Sequence, residues 1–339
     1  MSSYRVVQAT KRGTLEISER PLVDPEPLHV RIRVEACGIC HSDALAVEGV
    51  LPNAAFPRVP GHEAIGRIDA LGAGVDDWRV GQRVGVGYLG GPCGRCRFCR
   101  RGQFVHCLHQ HLTGTTNDGG YAEVMYARAS GLSAVPEELT SVEAAPLLCA
   151  GLTTFNALRN SGARPGELVA IQGIGGLGHL AVQYARRMGF RVAAIARGPE
   201  KGELALGLGA HHYIDGGATD PAKALQELGG ASLILATASN SRSQSGLIAG
   251  LLPAGKLLIV GLDGGPIEIS SSALVLSARS VAGSLTGSAQ DGEDTLSFSV
   301  LQNIRSRNEI IPFENAAAGY ARMMSNAARF RIVLAIGQG

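Results

Sequence analysis

A strand-like run, Leu168–Gln172, leads directly into Gly173-Ile174-Gly175-Gly176-Leu177-Gly178, and a helical pattern begins at once behind it. Few local sequences restrict a fold as much. Such glycines permit a tight turn and a close backbone approach, and the helix that follows points amide donors and its positive dipole end into the turn. In a chain with 46 glycines the G-x-G-x-x-G spacing alone is weak. Placed between a strand and an amphipathic helix, it has the context that a dinucleotide pyrophosphate site requires. The plain alternative is a glycine-rich turn without a ligand. The helix carries Leu177, Leu180, Ala181, Tyr184, Ala185 and Met188 on one face. Further short apolar strands follow at Arg191–Ala196, 212–214, 233–236 and 256–260, with helical stretches between them. That alternation predicts an α/β fold, a doubly wound parallel sheet with helices on both faces.

The end of the second strand bears on which dinucleotide binds. NAD calls for a carboxylate there to accept the adenosine ribose hydroxyls, whereas the extra phosphate of NADP calls for a cation. The chain reads Ile195-Ala196-Arg197-Gly198, with Lys201 one turn later. We read NADP as the preferred cofactor, with NAD possible, Arg197 and Lys201 facing the added phosphate. Alternatively, Arg197 is an ordinary surface residue.

Four cysteines crowd into the stretch before this unit: Cys93, Cys96, Cys99 and Cys107, spaced C-x2-C-x2-C-x7-C among Gly91, Gly94 and Gly102. Four thiolates on a tight loop suit the closed tetrahedral shell of a structural zinc. A pair of disulfides is the alternative. The chain starts MSSYRVVQ, without an apolar export segment, so a reducing cytoplasm is expected, where disulfides are rare. A closed shell has no open position, so chemistry must lie elsewhere.

At 339 residues, 45% hydrophobic and 18% charged, the chain can bury roughly two domain cores. Its net charge of +2 and scattered basic residues give no nucleic-acid footprint. The densest basic stretch, Arg95, Arg97, Arg100 and Arg101, lies inside the cysteine loop and reads as a solvated face. No uncharged apolar run reaches the ~18 residues of a membrane span. Residues 1–150 read as β-rich, with 28–34 and Arg83–Val86 as strands and frequent Gly and Pro. The expected organisation is a β-rich zinc domain over 1–150, a nucleotide domain over 151–285, and a return to the first domain over 286–339.

Three cysteines lie outside the loop: Cys37, Cys40 (in Cys37-Gly-Ile-Cys40-His41-Ser42-Asp43) and Cys149; His62 lies in Gly61-His62-Glu63. Residues 61–75 match G-H-E-x2-G-x5-G-x2-V at every fixed position. With the cysteine loop, the Cys40-His41-Ser42-Asp43 run and the glycine fingerprint in the same order, the chain resembles the zinc-dependent medium-chain dehydrogenase/reductases, close to microbial and cinnamyl-type alcohol dehydrogenases. The resemblance spans essentially the whole length.

It implies a Rossmann domain beside a β-rich GroES-like catalytic domain. It also implies two Zn2+ per chain, the second held by Cys40, His62 and Cys149. Glu63 would stand beside that metal, Asp43 would orient the histidine, and Ser42 would pass on the substrate proton. His41 would face the cofactor pyrophosphate, Thr153 the nicotinamide, and Arg331 the cofactor phosphates. Cys37 has no ligand role and reads as a packed core thiol. Many family members carry a histidine five residues after the first ligand cysteine, but here that position is Leu45. The proton path must therefore end differently, through a cofactor ribose hydroxyl for example.

The implied activity interconverts small alcohols and aldehydes. Zinc acts as a Lewis acid, the nicotinamide carries the electrons, and metabolic analogy favours reduction when NADPH is used. Substrate is expected in the cleft between the domains, with Leu51, Tyr88 and Leu285 as candidate lining residues. A homodimer or homotetramer is expected. The competing readings are a zinc-free quinone or enoyl reductase of the same superfamily, which would lack the cysteine loop, and a non-catalytic nucleotide-sensing protein, which would not need an open metal site.

Overall fold

The computed structural model of the chain describes residues 2–51 and 55–337. Residues 1, 52–54, 338 and 339, which fall in the expected first and last segments, lie outside the described residues. The chain divides into two compact units, Met1–Leu152 together with Gly287–Gly339, and Thr153–Thr286.

Along the chain the strands are β1 (Ser3–Lys11), β2 (Thr14–Pro21), β3 (His29–Ile39), β4 (Ala64–Leu71), β5 (Arg83–Val86), β6 (Val124–Arg128) and β7 (Leu132–Ala134). They continue as β8 (Leu168–Gln172), β9 (Arg191–Ala196), β10 (His212–Asp215), β11 (Ala231–Ala236), β12 (Leu251–Ile259) and β13 (Ser280–Gly283), and then β14 (Asn308–Pro312) and β15 (Arg331–Ala335). In the first unit β1 and β2 form a hairpin, and a larger sheet runs β14-β15-β3-β4-β5-β7 with β6 also paired to β3.

β3 explains why that sheet forms. Val30, Ile32 and Val34 are buried and alternate with the less buried Arg31, Arg33 and Glu35, the period-two pattern of a strand with one face on a core. From Ala36 to Ile39 the strand is buried at every position. Its antiparallel register pairs Cys37 with Ala64 of β4 and Ile39 with Ile332 of β15. The residues that follow β3, precede β4 and begin β15 therefore share one end of the sheet.

The second unit holds six parallel strands in the order β10-β9-β8-β11-β12-β13, the doubly wound arrangement expected from the sequence. β8 is buried throughout, as a central strand covered on both faces must be. β12 starts at Leu251, well before the expected 256. Its pairing with β11 shifts from Ala231↔Leu251 to Leu233↔Lys256, so Pro253 and Gly255 sit in an irregularity that reads as a turn in sequence. β13, which the sequence pattern did not single out, is an exposed edge strand.

The helix Gly178–Arg187 buries Leu180, Ala181, Tyr184 and Ala185; Leu177 and Met188 are its two cap residues, so the apolar face reaches just past each end. Among the described residues no helix is long and apolar enough to cross a membrane. Leu180 is fully buried. Leu180→Ala is expected to lower unfolding free energy by about 2–5 kcal/mol, read as a shifted urea midpoint.

Candidate functional site

At the shared end of the β3 sheet, Cys40, His62, Glu63 and Cys149 come together, with one ligand atom from each lying within 4.8 Å of the others. Cys40 directly follows β3, His62 and Glu63 directly precede β4, and Cys149 ends the helical turn Ala145–Leu148. The Gly38 N–H donates to the Glu63 carbonyl at 3.1 Å, which ties the two strand ends together.

The residues of the cluster suit a metal ion. His62 Nε2 and Glu63 Oε2 are buried without a hydrogen-bond partner, a costly state unless something else binds there. Cys40 Sγ and Cys149 Sγ are 3.7 Å apart. A tetrahedral zinc with Zn–S near 2.3 Å needs its sulfurs about 3.7–3.8 Å apart. Of the two thiols, the buried Cys40 is held well below its ordinary pKa, chiefly by a hydrogen bond from the half-buried Cys149, which is pushed up in turn.

Asp43 organises the cluster. It is almost fully buried and closes the short helical turn His41–Asp43. Its Oδ1 lies 2.9 Å from His62 Nδ1 and accepts the Gly61 N–H at 3.2 Å. Its Oδ2 accepts the Cys40 N–H at 2.9 Å and the Tyr121 hydroxyl at 2.8 Å. A carboxylate facing Nδ1 keeps the proton on that nitrogen and leaves Nε2 with its lone pair. Burial disfavours the His62 cation, yet Asp43 and Cys40 together hold its pKa well above the ordinary value. Tyr121 was not visible as a site residue in the sequence: it lies 78 positions from its partner and belongs to no motif. Ser42 is half-buried and His41 exposed on the same turn; the Tyr88 and His62 rings meet in a T-shaped contact, with centroids 5.1 Å apart. Leu51 is half-buried, and Cys37 is a fully buried free thiol.

Arg331, at the start of β15, is buried and ion-paired to Glu63 Oε1. The family resemblance implies a contact with cofactor phosphates for this arginine; the structure instead commits it to a buried carboxylate, which needs the charge partner. Burial pushes the Glu63 carboxyl up to about 7 despite Arg331.

The cysteine loop forms the other cluster, Cys93, Cys96, Cys99 and Cys107. All seven cysteines are free, so the loop holds no disulfide. Cys96 and Cys99 sulfurs are 3.5 Å apart, and those of Cys93 and Cys99 4.0 Å, again suited to one tetrahedral ion. Backbone N–H groups of Cys93 and His109 point at Cys107 Sγ at 3.2 and 3.4 Å. The N–H of Cys99, followed by that of Leu108, lowers the Cys96 thiol to about 6, toward the thiolate form that binds metal. Arg95, Arg97, Arg100 and Arg101 are exposed.

In the second unit the glycine loop has the shape its motif requires. A Cβ on Gly178 would sit 1.7 Å from the Gly173 carbonyl oxygen, so only glycine lets the helix start there. A Cβ on Gly175 would meet nothing within 4 Å, which leaves open space beside the backbone for a phosphate. Gly176 and Leu177 complete the turn into the helix. Thr153 is buried, and its hydroxyl donates to Thr286 Oγ1 at 3.2 Å. Leu285 beside it is 55% exposed. At the end of β9, Arg197 is exposed and Lys201 half-buried. Asp215 stands in register with Ala196, but its Oδ1 accepts the Gly198 and Gly217 N–H groups, both at 2.9 Å.

Residues 26–137 match the alcohol dehydrogenase GroES-like domain, and residues 176–300 match the zinc-binding dehydrogenase domain. The chain is 42% identical over 334 residues to alcohol dehydrogenase patD of Penicillium expansum, covering 98% of each. Among solved structures it resembles the cinnamyl alcohol dehydrogenase SbCAD4 of Sorghum bicolor, with a TM-score of 0.89, 30% identity and 98% of each chain covered. It also resembles the CAD of Helicobacter pylori, solved in complex with NADP(H), with a TM-score of 0.87, 27% identity and 99% of each chain covered.

The buried Glu63–Arg331 pair yields a prediction. Arg331→Met should cost about 3–5 kcal/mol by leaving a buried carboxyl unpaired. Glu63 titrates above its unfolded value, so stability falls as pH rises from the unfolded pKa through the folded one. Losing Arg331 raises the folded value further, so the deficit should be larger at pH 8 than at pH 6 in urea titrations.

Proposed function

The chain belongs to the zinc-dependent alcohol dehydrogenases of the medium-chain dehydrogenase/reductase family, and we propose that it prefers NADP(H), with NAD possible, and holds two zincs per chain. It is an oxidoreductase acting on alcohols that uses zinc and a nicotinamide cofactor. In our reading Cys40, His62 and Cys149 hold a catalytic zinc, and Cys93, Cys96, Cys99 and Cys107 a structural one. The observation that carries this reading is the pair of orphaned polar atoms, His62 Nε2 and Glu63 Oε2, buried beside two thiols 3.7 Å apart.

When bound, zinc polarises the substrate oxygen as a Lewis acid, and the nicotinamide gives or takes the hydride. The rest falls to side chains. Asp43 keeps the His62 proton on Nδ1, so the ring presents Nε2 as a donor. The Ser42 hydroxyl takes the proton of the alcohol and passes it on; with Leu45 in place of a histidine, the ribose hydroxyl of a bound cofactor would carry it to water. Glu63, restrained by Arg331, adds a negative charge beside the metal. Thr153 holds the nicotinamide and His41 the cofactor phosphates, while Arg331 is committed to Glu63.

NADP preference is supported by Ala196 at the end of β9 with the exposed Arg197 beside it, and by Asp215 being engaged with backbone amides. The substrates are primary or secondary alcohols and their carbonyl partners, and the working form is a homodimer or homotetramer.

Side-by-side rates of NADPH and NADH oxidation with benzaldehyde and hexanal test the cofactor assignment: NADPH should be preferred, and faster turnover with NADH would overturn it. Arg197→Ala should lower kcat/KM for NADPH by roughly 10- to 100-fold, the ~1.5–3 kcal/mol of a charged hydrogen bond, and leave NADH little changed. Metal analysis should give two zincs per wild-type chain, and one for Cys40→Ser with turnover lost.

A further inference from the structure

Tyr121 is completely buried, and its hydroxyl donates to Asp43 Oδ2 at 2.8 Å. The other oxygen of the same carboxylate faces His62 Nδ1 at 2.9 Å. Its neighbours fix the ring as well as the hydroxyl. Gly61, with φ +97°, precedes His62, and a Cβ there would come within 2.4 Å of the Tyr121 ring and 2.9 Å of Cys37 Sγ. Tyr121 N–H donates to the Pro60 carbonyl at 3.0 Å and Gly120 N–H to the Gly61 carbonyl at 2.9 Å. The segment carrying Tyr121 is thus laced to the backbone just ahead of His62 while its hydroxyl reaches the carboxylate behind His62.

We propose that Tyr121 is a positioning residue for the metal site: it fixes the plane of the Asp43 carboxylate, and through it the tautomer and direction of the His62 ring. This rests on the reading of Cys40, His62 and Cys149 as ligands. The carboxylate needs such a restraint. The Cys40 N–H and the Gly61 N–H each bind one of its oxygens, but both belong to the backbone of the ligand segments and move with them. The Tyr121 hydroxyl is the one donor to Asp43, among its described hydrogen bonds, that comes from a separate segment. Partners that orient a ligand histidine at one remove typically change metal affinity or activity 10- to 100-fold when lost.

Tyr121→Phe keeps the ring and removes only the hydroxyl. In holoenzyme, transfer of the catalytic zinc to a colorimetric chelator should be about tenfold faster or more than in wild type. In cobalt-substituted protein the visible bands of the Cys40 site should shift. Tyr126→Phe, which loses a hydroxyl bound to the Val23 backbone instead, should change neither. Since Tyr121 acts through Asp43, adding Tyr121→Phe to Asp43→Asn should cause little further loss.

Unchanged transfer rate and cobalt bands in a folded Tyr121→Phe protein would overturn the proposal. Full additivity with Asp43→Asn, or a Tyr121→Phe chain that fails to fold, would do the same by making Tyr121 a core residue only. The ligand reading fails separately: cobalt bands untouched by Cys40→Ser would remove the ligand set itself, and this proposal with it.

Discussion

The Asp43 carboxylate is the contact on which the site depends. A charge that deeply buried is costly unless it is fully hydrogen-bonded. Here it meets the N–H groups of Cys40 and Gly61, the Tyr121 hydroxyl and the His62 ring. Those partners come from the end of β3, the run before β4 and the run before β6. The need to satisfy one carboxylate thus holds three separate stretches of chain in place, and the ligand atoms follow because they are neighbours of its partners.

A second buried carboxylate is handled differently. Glu63 has one oxygen on Arg331 and the other without a partner. Asp43 is saturated and therefore structural; Glu63 is half-satisfied and therefore available. Two acids flanking one histidine have been given separate tasks by the number of donors around each, as happens wherever environment sets the role of a carboxylate. The arginine that restrains Glu63 begins β15, so the first unit's site draws on residues from both sides of the second unit in the sequence.

The cysteine loop shows how much a short motif can carry by itself. Its ligands lie within fifteen positions of one another, and the glycines among them supply the turns, so the cluster forms with little help from outside. Its basic residues remain on the exterior, where their charge costs nothing to solvate.

What could be read from the sequence was what is local or periodic. The strand, glycine turn and helix from Leu168 to Arg187 declare themselves because a tight turn, a phosphate-sized opening and an amphipathic face each leave a mark within a few residues. The cysteine spacing does the same. The Cys40, His62, Cys149 grouping could be named only through a family resemblance, since nothing in its spacing joins positions so far apart. Tyr121 on Asp43, Arg331 on Glu63, Thr153 on Thr286 and the irregular start of β12 appear only in three dimensions. Each depends on the pairing register of distant strands or on a polar group finding its partner in a dry interior, and neither is written in the residues nearby.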